Sequence, residues 1–397
     1  MYRSDYIKYT LRFRRPAGTS RGTLRIKDSW IVSVYDDQDP LRFGLGEVSL
    51  IPGLSPDDPD RIEGILNDFS EALRSGIIPT GDIFPEKSSG TSSEEKVPIP
   101  GNEIKGNAPG QKDVSSRAGT RSVSGFDLTD FPALQFGIET AFLDLQTGGM
   151  RLLYPSGFTN GTFGIPINGL IWMGNRRDML EQIKGKLEDG FSIIKMKVGA
   201  LDFEDELEVL SAVRAHFDPS DLEIRLDANG AWSPEEALDK LNILSEFGIH
   251  SLEQPIPAGI HEEMARVCEA SPIPVALDEE LIGAVRSAEM KRLLEVINPA
   301  YIILKPSLLG GITKSEEWIS LAETRGAGWW ITSALESNIG LNAIAQWTAT
   351  LDTELPQGLG TGSLYENNIP SPLAVIEDRI HYLPGETWDL SGLTFTS

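Results

Sequence analysis

The feature that most constrains the fold is an alternation of short apolar segments and helical stretches between residues 164 and 362. Eight β-rich segments recur there, reading in order GIPINGLIW, FSIIKMKV, LEIRLDAN, HSLEQPI, PVALDEE, YIILKPS, WWITSAL and LPQGLGTG. Helical stretches separate most of them. In one stretch, Ser233, Pro234 and Glu236 form a capping-box pattern at the start of a helix, and Gly248 marks its end. Strands that alternate with helices form parallel β/α units, so the pattern predicts an α/β fold of the (β/α)8-barrel type.

The remaining sequence predicts a second, smaller unit. Residues 6–51 alternate apolar and polar side chains, which indicates an antiparallel sheet, and a helical stretch follows from about Pro59 to Ser75. Residues 86–125 are rich in Ser, Gly, Pro and charge, which predicts a flexible insertion, more typical of a solvated loop than of a lid. We therefore predict an α+β capping domain over residues 1–133, a barrel over 134–364 and a tail over 365–397 that returns to the capping domain.

Charged side chains lie at the C-terminal ends of five successive strands of the predicted barrel. They are Lys195 and Lys197 on the second segment, Asp227 on the third, Glu253 on the fourth, Asp278 on the fifth and Lys305 on the sixth. From Lys197 onward the intervals are 30, 26, 25 and 27 residues, each about one β/α unit. The charges therefore share the C-terminal rim, where barrel active sites lie. A buried ring of ion pairs is the structural alternative, but burying so many charges without a function is costly.

The order of these charges predicts a metal site between two bases. Asp227, Glu253 and Asp278 would form a cage of hard oxygen donors, which suits Mg²⁺, with Mn²⁺ as an alternative ion. No Cys or His stands among these positions, which argues against zinc. Lys197 and Lys305 flank the carboxylate strands, so a substrate that chelates the metal would have one lysine on each face.

The spacing of Lys195 and Lys197 predicts that both point into the barrel, because residues i and i+2 share one face of a strand. Mutual repulsion and burial should then lower a lysine pKa and favour a general base. Asn229, on the same face as Asp227, is a candidate donor to the substrate or metal shell, or the end of a strand before Gly230. A lysine base and a divalent ion suit removal of a proton α to a carboxylate, because the ion stabilises the enediolate.

The overall composition excludes several partners. A formal net charge of −24 argues against nucleic acid and anionic membranes, which both attract basic surfaces. No run of about 18 apolar residues is present, so we expect no membrane span. The single Cys268 excludes a disulfide within the chain, and the first residues lack the apolar stretch of a signal peptide, so we expect a cytoplasmic protein. The expected partner is a small-molecule carboxylate substrate; homo-oligomerisation is left open.

These motifs resemble the enolase superfamily, its muconate-lactonizing subgroup with a KxK base motif and, within that, the o-succinylbenzoate synthases. GLGEVSLIPGLS (44–55) is similar to the capping-domain signature of that family, RPAGTSRG (15–22) to its substrate loop and TSALESNIG (332–340) to its seventh-strand segment. IIKMKVG, RLDANGAW, LEQPI, ALDEE and ILKPSLLGG are similar to its catalytic strands. The resemblance covers most of the chain; the insertion at 86–125 departs from the family pattern.

The resemblance implies a role for each site residue. Asp227, Glu253 and Asp278 would ligate Mg²⁺, and Lys197 would act first as base and then as acid for the departing hydroxide. Lys305 would be its partner across the enediolate, and Lys195 would tune Lys197 or contact the substrate carboxylate. Further substrate contacts are implied for three side chains, namely Arg21, Ser333 and Ser337.

The reaction implied is the syn-dehydration of 2-succinyl-6-hydroxy-2,4-cyclohexadiene-1-carboxylate to o-succinylbenzoate, a hydro-lyase step of menaquinone biosynthesis. An N-succinylamino-acid racemase or a dipeptide epimerase would use the same two lysines. Epimerases of this kind carry an acidic DxD motif on strand eight, whereas GLGTGSLY has no acid, which disfavours dipeptides. A metal-binding barrel without catalysis is a more remote alternative, because none of the key residues is missing.

Overall fold

We describe a computed structural model of the chain over residues 1–19, 22–76 and 127–395. The N-terminal antiparallel sheet that the alternating pattern predicts is present. Its three strands, in the spatial order β1-β2-β3, are β1 (Tyr2–Thr19), β2 (Gly22–Asp36) and β3 (Asp39–Ser49). The predicted helix is present as α1 (Pro59–Arg74), and α2 (Pro132–Gln146) follows later in the chain.

Helix α2 packs very closely on β3. A Cβ atom at Gly44 would lie 1.9 Å from the carbonyl oxygen of Ala141, and one at Gly46 would lie 1.8 Å from that of Gly137. Only glycine fits at both positions, which explains the GLG of the capping-domain signature in physical terms. The contact helps to bury an apolar core that includes Trp30 of β2.

Asp57 fixes the start of α2 and gives the fold a pH dependence. Its carboxylate accepts hydrogen bonds from the backbone N–H groups of Ala133 and Leu134, both at 3.1 Å. Burial raises the pKa of Asp57 to about 6, although those two bonds oppose the shift. The folded chain therefore holds this proton more tightly than the unfolded chain, so the contribution of Asp57 to stability rises as the pH falls from 7 to 4.5.

We expect the free energy of unfolding of the wild type, relative to Asp57→Asn, to increase by about 2 kcal/mol between pH 7 and pH 4.5. Urea unfolding of both proteins at each pH measures this difference. A difference that is constant with pH, or that shrinks on acidification, would contradict the raised pKa.

Seven parallel strands form one continuous sheet in the described part of the chain. In spatial order they are β5 (Gly169–Ile171), β6 (Ile193–Lys197), β7 (Glu223–Asp227), β8 (Ser251–Glu253), β9 (Val275–Leu277), β10 (Tyr301–Leu304) and β11 (Gly328–Ile331). The helices around them are α3 (Arg176–Glu188), α4 (Phe203–Arg214), α5 (Pro234–Ser245), α6 (His261–Ala270), α7 (Ser287–Ile297), α8 (Pro306–Leu309), α9 (Ile312–Thr324) and α10 (Asn338–Thr348). A 3-10 turn, Glu279–Leu281, follows β9. The capping box predicted at the start of α5 is present, with Ser233 as N-cap.

The predicted (β/α)8-type barrel is present, but its eighth segment, LPQGLGTG, does not form a regular strand. Instead, two isolated parallel bridges, Ile167 to Gln357 and Thr332 to Gly358, join this segment to the first and seventh barrel segments. Proline and repeated glycine explain the difference, because Pro lacks an N–H donor and Gly weakens a strand interior. Arg225 donates to the carbonyl of Pro356 at 2.9 Å and so ties the segment to the barrel interior.

The first predicted barrel segment is divided between two sheets. Its early part is β4 (Ile165–Pro166), which pairs with the C-terminal hairpin of β12 (Leu373–Ile376) and β13 (Arg379–Tyr382). Beyond the hairpin, Trp388 and Leu390 pack against a core cluster that contains Ile31 and Leu45 of the N-terminal sheet. The tail therefore contacts both parts of the fold.

The predicted insertion at 86–125 lies outside the described residues, and the division at 133 and 364 stays a prediction. Among the helices that the structure describes, none is long and apolar enough to cross a membrane.

Candidate active site

The sheet brings the predicted charged residues to one end of the barrel. Lys197 on β6, Asp227 on β7 and Glu253 on β8 are direct neighbours in the parallel register. Asp278 and Lys305 come one residue after β9 and β10. The in-phase spacing of the sequence therefore translates into a single cluster at the C-terminal ends of five adjacent strands.

The cluster is a dense network of ion pairs. Nζ of Lys195 lies 2.7 and 2.6 Å from the two carboxylate oxygens of Glu253 and 2.9 Å from Oδ2 of Asp227. Nζ of Lys197 lies 2.9 Å from the same Oδ2 and 2.6 Å from Oδ1 of Asn229. Lys305 pairs with Asp278, and its side chain, at 12% exposed, is the most exposed of the six charged groups. Nearly all of this charge is therefore withdrawn from solvent.

The predicted repulsion between the two lysines of β6 does not determine the pKa of Lys195. Burial opposes its positive charge, but Asp227, Glu253 and Asp278 outweigh burial and raise its pKa above the ordinary value. Burial likewise opposes the charge of Lys305, and Asp278 and Glu253 raise its pKa. Lys195 is therefore not the lysine whose pKa the pairing would lower, because carboxylate oxygens contact its ammonium group directly.

The same surroundings lower the pKa of two of the carboxylates and raise the pKa of the third. Burial favours the neutral form of Asp227, but Lys195 and Lys197 outweigh it and lower its pKa. The pKa of Asp278 is lowered in the same way, against burial, mainly by Lys305. Burial and the neighbouring Asp227 raise the pKa of Glu253 well above its usual range. Lysine ammonium groups therefore hold Asp227 and Asp278 in their charged forms, whereas the surroundings of Glu253 favour its neutral form.

The three carboxylates offer the chemistry of a magnesium site, although their side chains are paired with lysines. In the described residues, no group of three or more acidic, His or Cys side chains is arranged as a ready metal site. Instead, the ammonium group of Lys195 contacts the oxygens of Glu253, and that of Lys305 contacts an oxygen of Asp278. Buried carboxylate oxygens that attract cations in this way fit a hard divalent ion.

A cavity of about 210 Å³ opens onto the cluster. It is lined by five side chains at the strand ends, namely Lys195, Lys197, Asp227, Asn229 and Lys305. Its other walls are largely apolar and come from both parts of the fold; they include Leu24, Ile51, Leu54, Leu170, Trp172 and Leu335. An organic ligand with a carboxylate and an apolar body would fit such a mixture of charge and apolar surface.

Three predicted substrate contacts have different outcomes. Arg21 lies outside the described residues. Ser337 does not line the cavity: it is fully buried as the N-cap of α10, and it donates its hydroxyl hydrogen to Glu47. Its prediction as a substrate contact is therefore wrong, because its hydroxyl stabilises the junction between β3 and the barrel.

Ser333 lines the cavity, but its hydroxyl is fully used within the protein. It donates to Glu336 and accepts from Thr361 at 2.8 Å and from the N–H of Leu335 at 3.1 Å. A hydroxyl has one donor and two acceptor sites, so this bonding is complete. Ser333 as a substrate contact stays a prediction, and its hydroxyl would have to release a protein partner first.

Gln254 is a positioning residue that the sequence reasoning did not single out. It is fully buried with a φ of 43°, and its Oε1 accepts from the N–H groups of Asp278 and Glu280 at 3.1 and 3.2 Å. Its carbonyl oxygen accepts from the N–H of Gly230 at 2.7 Å. One residue thus joins the ends of the three carboxylate-bearing strands. A Gln between a charged strand end and a proline is the only signal that the sequence offers for this role.

A barrel whose strand ends carry a KxK pair, three carboxylates and a further lysine beneath a capping sheet is the architecture of the enolase superfamily. Residues 178–385 match the family described as "Enolase C-terminal domain-like", which covers just over half of the chain.

Curated relatives give the finer assignment. The o-succinylbenzoate synthase of Desulfotalea psychrophila is 47% identical over 374 residues, which span 94% of this chain and 96% of that protein. The crystal structure of MenC from the same organism superimposes with a TM-score of 0.77 and 42% identity, covering 96% of this chain and 99% of that one. The chain therefore belongs to the family of o-succinylbenzoate synthases. An N-succinyl-L-Arg/Lys racemase of Bacillus cereus is 26% identical over 179 residues, or 45% of this chain and 47% of that protein.

Proposed function

We propose that the protein is a hydro-lyase that dehydrates 2-succinyl-6-hydroxy-2,4-cyclohexadiene-1-carboxylate to o-succinylbenzoate. The observation that carries the proposal is that Lys197 and Lys305 line one cavity and stand on either side of the strand ends that carry three buried carboxylates. The full-length similarity to an o-succinylbenzoate synthase supports the choice of substrate.

Lys197 is the proposed base. Its Nζ faces the cavity and takes the proton α to the ring carboxylate of the substrate. The same Nζ then gives a proton to the hydroxide that leaves from the adjacent carbon, so that the products are o-succinylbenzoate and water. One group can perform both transfers because the proton and the hydroxide leave from the same face. Acid–base catalysis of this kind contributes about 10² to 10⁴ in rate.

Lys305 and Lys195 are proposed to keep their charge. The ammonium group of Lys305 lies across the carboxylate strands from Lys197 and stabilises negative charge on the opposite face of the substrate. Lys195, with a raised pKa, remains cationic; it offsets the charge of Asp227 and contacts Glu253. Asn229, whose Oδ1 accepts from Lys197, orients that lysine toward the cavity.

Asp227, Glu253 and Asp278 are the proposed ligands of Mg²⁺, for which Mn²⁺ could substitute. When bound, the ion would supply electrostatic stabilisation for the charge that develops on the substrate carboxylate. It would also compete with Lys195 and Lys305 for the carboxylate oxygens, so ion binding and lysine pairing are linked.

An N-succinylamino-acid racemase is the alternative that the two lysines also favour. In that reaction one lysine would remove the α-proton and the other would return a proton to the opposite face. The similarity to the Bacillus cereus racemase covers less than half of either chain, so we place this activity second. The glycine-rich segment 358–362, with no acidic side chain, disfavours dipeptides.

The purified protein with Mg²⁺ should convert the cyclohexadiene acid to the aromatic product, which is followed by the change in ultraviolet absorbance. The same preparation should be tested with N-succinylamino acids in D₂O, where racemisation exchanges the α-proton. No dehydration, together with rapid exchange into N-succinylamino acids, would refute the dehydratase assignment and support the racemase.

A further inference from the structure

Lys27 is a fully buried lysine of β2, in the N-terminal sheet, and it is separate from the charged cluster at the barrel strand ends. Its ammonium group donates to the hydroxyl of Ser29 at 3.3 Å and to the hydroxyl of Ser49. These two serines are register partners on β2 and β3. A lysine is rarely buried so completely unless opposite charge lies nearby, because burial of an unpaired charge is costly.

Two fully buried carboxylates, Glu47 and Glu336, supply that opposite charge. Burial lowers the pKa of Lys27, and the charges of both carboxylates oppose the shift. Glu47, on β3, is linked to the ammonium group through Ser29, whose hydroxyl donates to it at 2.8 Å. Glu336 belongs to the barrel, where it lies between β11 and α10. Lys27 therefore provides positive charge to one carboxylate from each part of the fold.

Glu47 joins the N-terminal sheet to the start of α10. Its Oε1 accepts from the N–H of Ser337 at 2.9 Å, and its Oε2 accepts from the hydroxyl of Ser337 at 2.5 Å and from the N–H of Gly340 at 3.0 Å. With the bond from Ser29, this carboxylate accepts four hydrogen bonds. Glu47 is thus fixed from both sides of the junction.

Glu336 connects the same junction to the active-site cavity. One of its carboxylate oxygens accepts from the hydroxyl of Ser307, a residue that comes two positions after Lys305. The other oxygen accepts from the hydroxyl of Ser333, which lines the cavity. The barrel wall at Ser333 is therefore held by a carboxylate whose charge depends on Lys27.

The N-terminal sheet forms a facing part of the cavity wall. Leu24, three residues before Lys27 on β2, lines the cavity, and so does Ile51, two residues after Ser49. Both also pack against the apolar cluster that contains Leu335 of the barrel. The position of this wall over the barrel therefore depends on the junction at Lys27.

We propose that Lys27 is a positioning residue for the active site. Its buried charge neutralises Glu47 and Glu336 and so holds the N-terminal sheet, with the cavity wall that it carries, in place over the barrel. The inference rests on the proposed function for the substrate, whose ring would lie against that wall. Lys27 does not line the cavity, so it acts on substrate affinity through the wall rather than on proton transfer by Lys197.

Lys27→Met keeps the length of the side chain but leaves two buried carboxylates without their cation. We expect the thermal midpoint to fall by at least about 5 °C. KM for the cyclohexadiene acid should rise about 5- to 30-fold while kcat changes less than about threefold, because the displaced wall binds ground state and transition state alike. The affinity for Mg²⁺, measured by calorimetry, should stay within about twofold of the wild type, because the proposed ligands belong to the barrel. Lys8→Met, at an exposed lysine of β1, is the control and should match the wild type throughout.

The double variant Lys27→Met/Glu336→Gln tests whether charge is the cause. It removes one negative charge together with the positive one, and a glutamine amide can still accept from Ser333 and donate to Ser307. We expect it to recover at least half of the lost thermal midpoint and to return KM toward the wild-type value. If Lys27→Met does not fold, the double variant should fold and carries the comparison with the wild type and Glu336→Gln.

An unchanged KM in folded Lys27→Met would overturn the proposal. A fall in kcat alone would then indicate a smaller folded fraction, which is the result of a merely structural role. A double variant that is no more stable than Lys27→Met would overturn it as well, because Glu336 would not be a charge that Lys27 neutralises. A wild-type protein that does not turn over the cyclohexadiene acid refutes the proposed function instead, and the same comparison then uses KM for racemisation of an N-succinylamino acid. The thermal midpoints need no substrate and test the charge pairing in either case.

Discussion

Replacing Lys197 with Ala should lower kcat for dehydration at least about 10³-fold while the protein stays folded. The proposed mechanism assigns both proton transfers to the Nζ of Lys197, so no neighbouring group replaces it. The fold should survive because Asp227, the ion-pair partner of Lys197, remains 2.9 Å from the ammonium group of Lys195. Turnover is followed by ultraviolet absorbance, and folding by circular dichroism and thermal unfolding.

Two further variants separate the proton transfer by Lys197 from the effect of its positive charge. Lys197→Arg keeps a positive charge beside Asp227 but provides no neutral amine, so it should be as inactive as Lys197→Ala. Lys184→Ala removes an exposed lysine of α3, whose side chain is 75% exposed, and should keep full activity. An active Lys197→Arg enzyme would contradict the role of Lys197 as base, because arginine does not release its proton in this pH range.

Removing divalent ions with EDTA should lower the dehydration rate at least about 100-fold, and excess Mg²⁺ should restore it. The reason is electrostatic: without the ion, the charge that develops on the substrate carboxylate loses its main stabilisation. The same treatment should leave the circular dichroism spectrum unchanged, because Lys195 and Lys305 already contact the oxygens of Glu253 and Asp278 without a metal.

Glu253→Gln tests the metal account at a single residue. It removes one proposed ligand charge and leaves the shape of the side chain, so the affinity for Mg²⁺ measured by calorimetry should fall at least about tenfold. Glu223→Gln, four residues before Asp227 at the opposite end of the same strand, is the control and should bind Mg²⁺ like the wild type. Full activity after exhaustive chelation, or unchanged affinity in Glu253→Gln, would contradict the proposed metal role.

The sequence predicted those parts of the fold that depend on local periodicity. The intervals between Lys197, Asp227, Glu253, Asp278 and Lys305 predicted that these side chains meet at one end of the barrel, and the parallel register confirms the arrangement. A strand fixes the face on which residue i+2 lies, and a β/α unit returns the next strand to the same rim. The spacing of these residues along the chain is therefore sufficient to predict that they meet at one end of the barrel.

Properties that depend on contacts across the fold were not predictable in the same way. The side chain of Ser337 caps α10 and binds Glu47, a contact between residues 290 positions apart. The pKa of Lys195 is set by carboxylates on β7, β8 and the turn after β9 rather than by its neighbour on β6.

A crystal structure of the wild type with Mg²⁺ and o-succinylbenzoate tests the central claim most directly. The account predicts the ring carboxylate of the product at the metal and the product between Lys197 and Lys305, with each Nζ on its own face of the ring. It also predicts Mg²⁺ on Asp227, Glu253 and Asp278, with Lys195 and Lys305 no longer bonded to the metal-bound oxygens. A product that binds away from Lys197, or with both lysines on one face, would contradict the proposed reaction geometry.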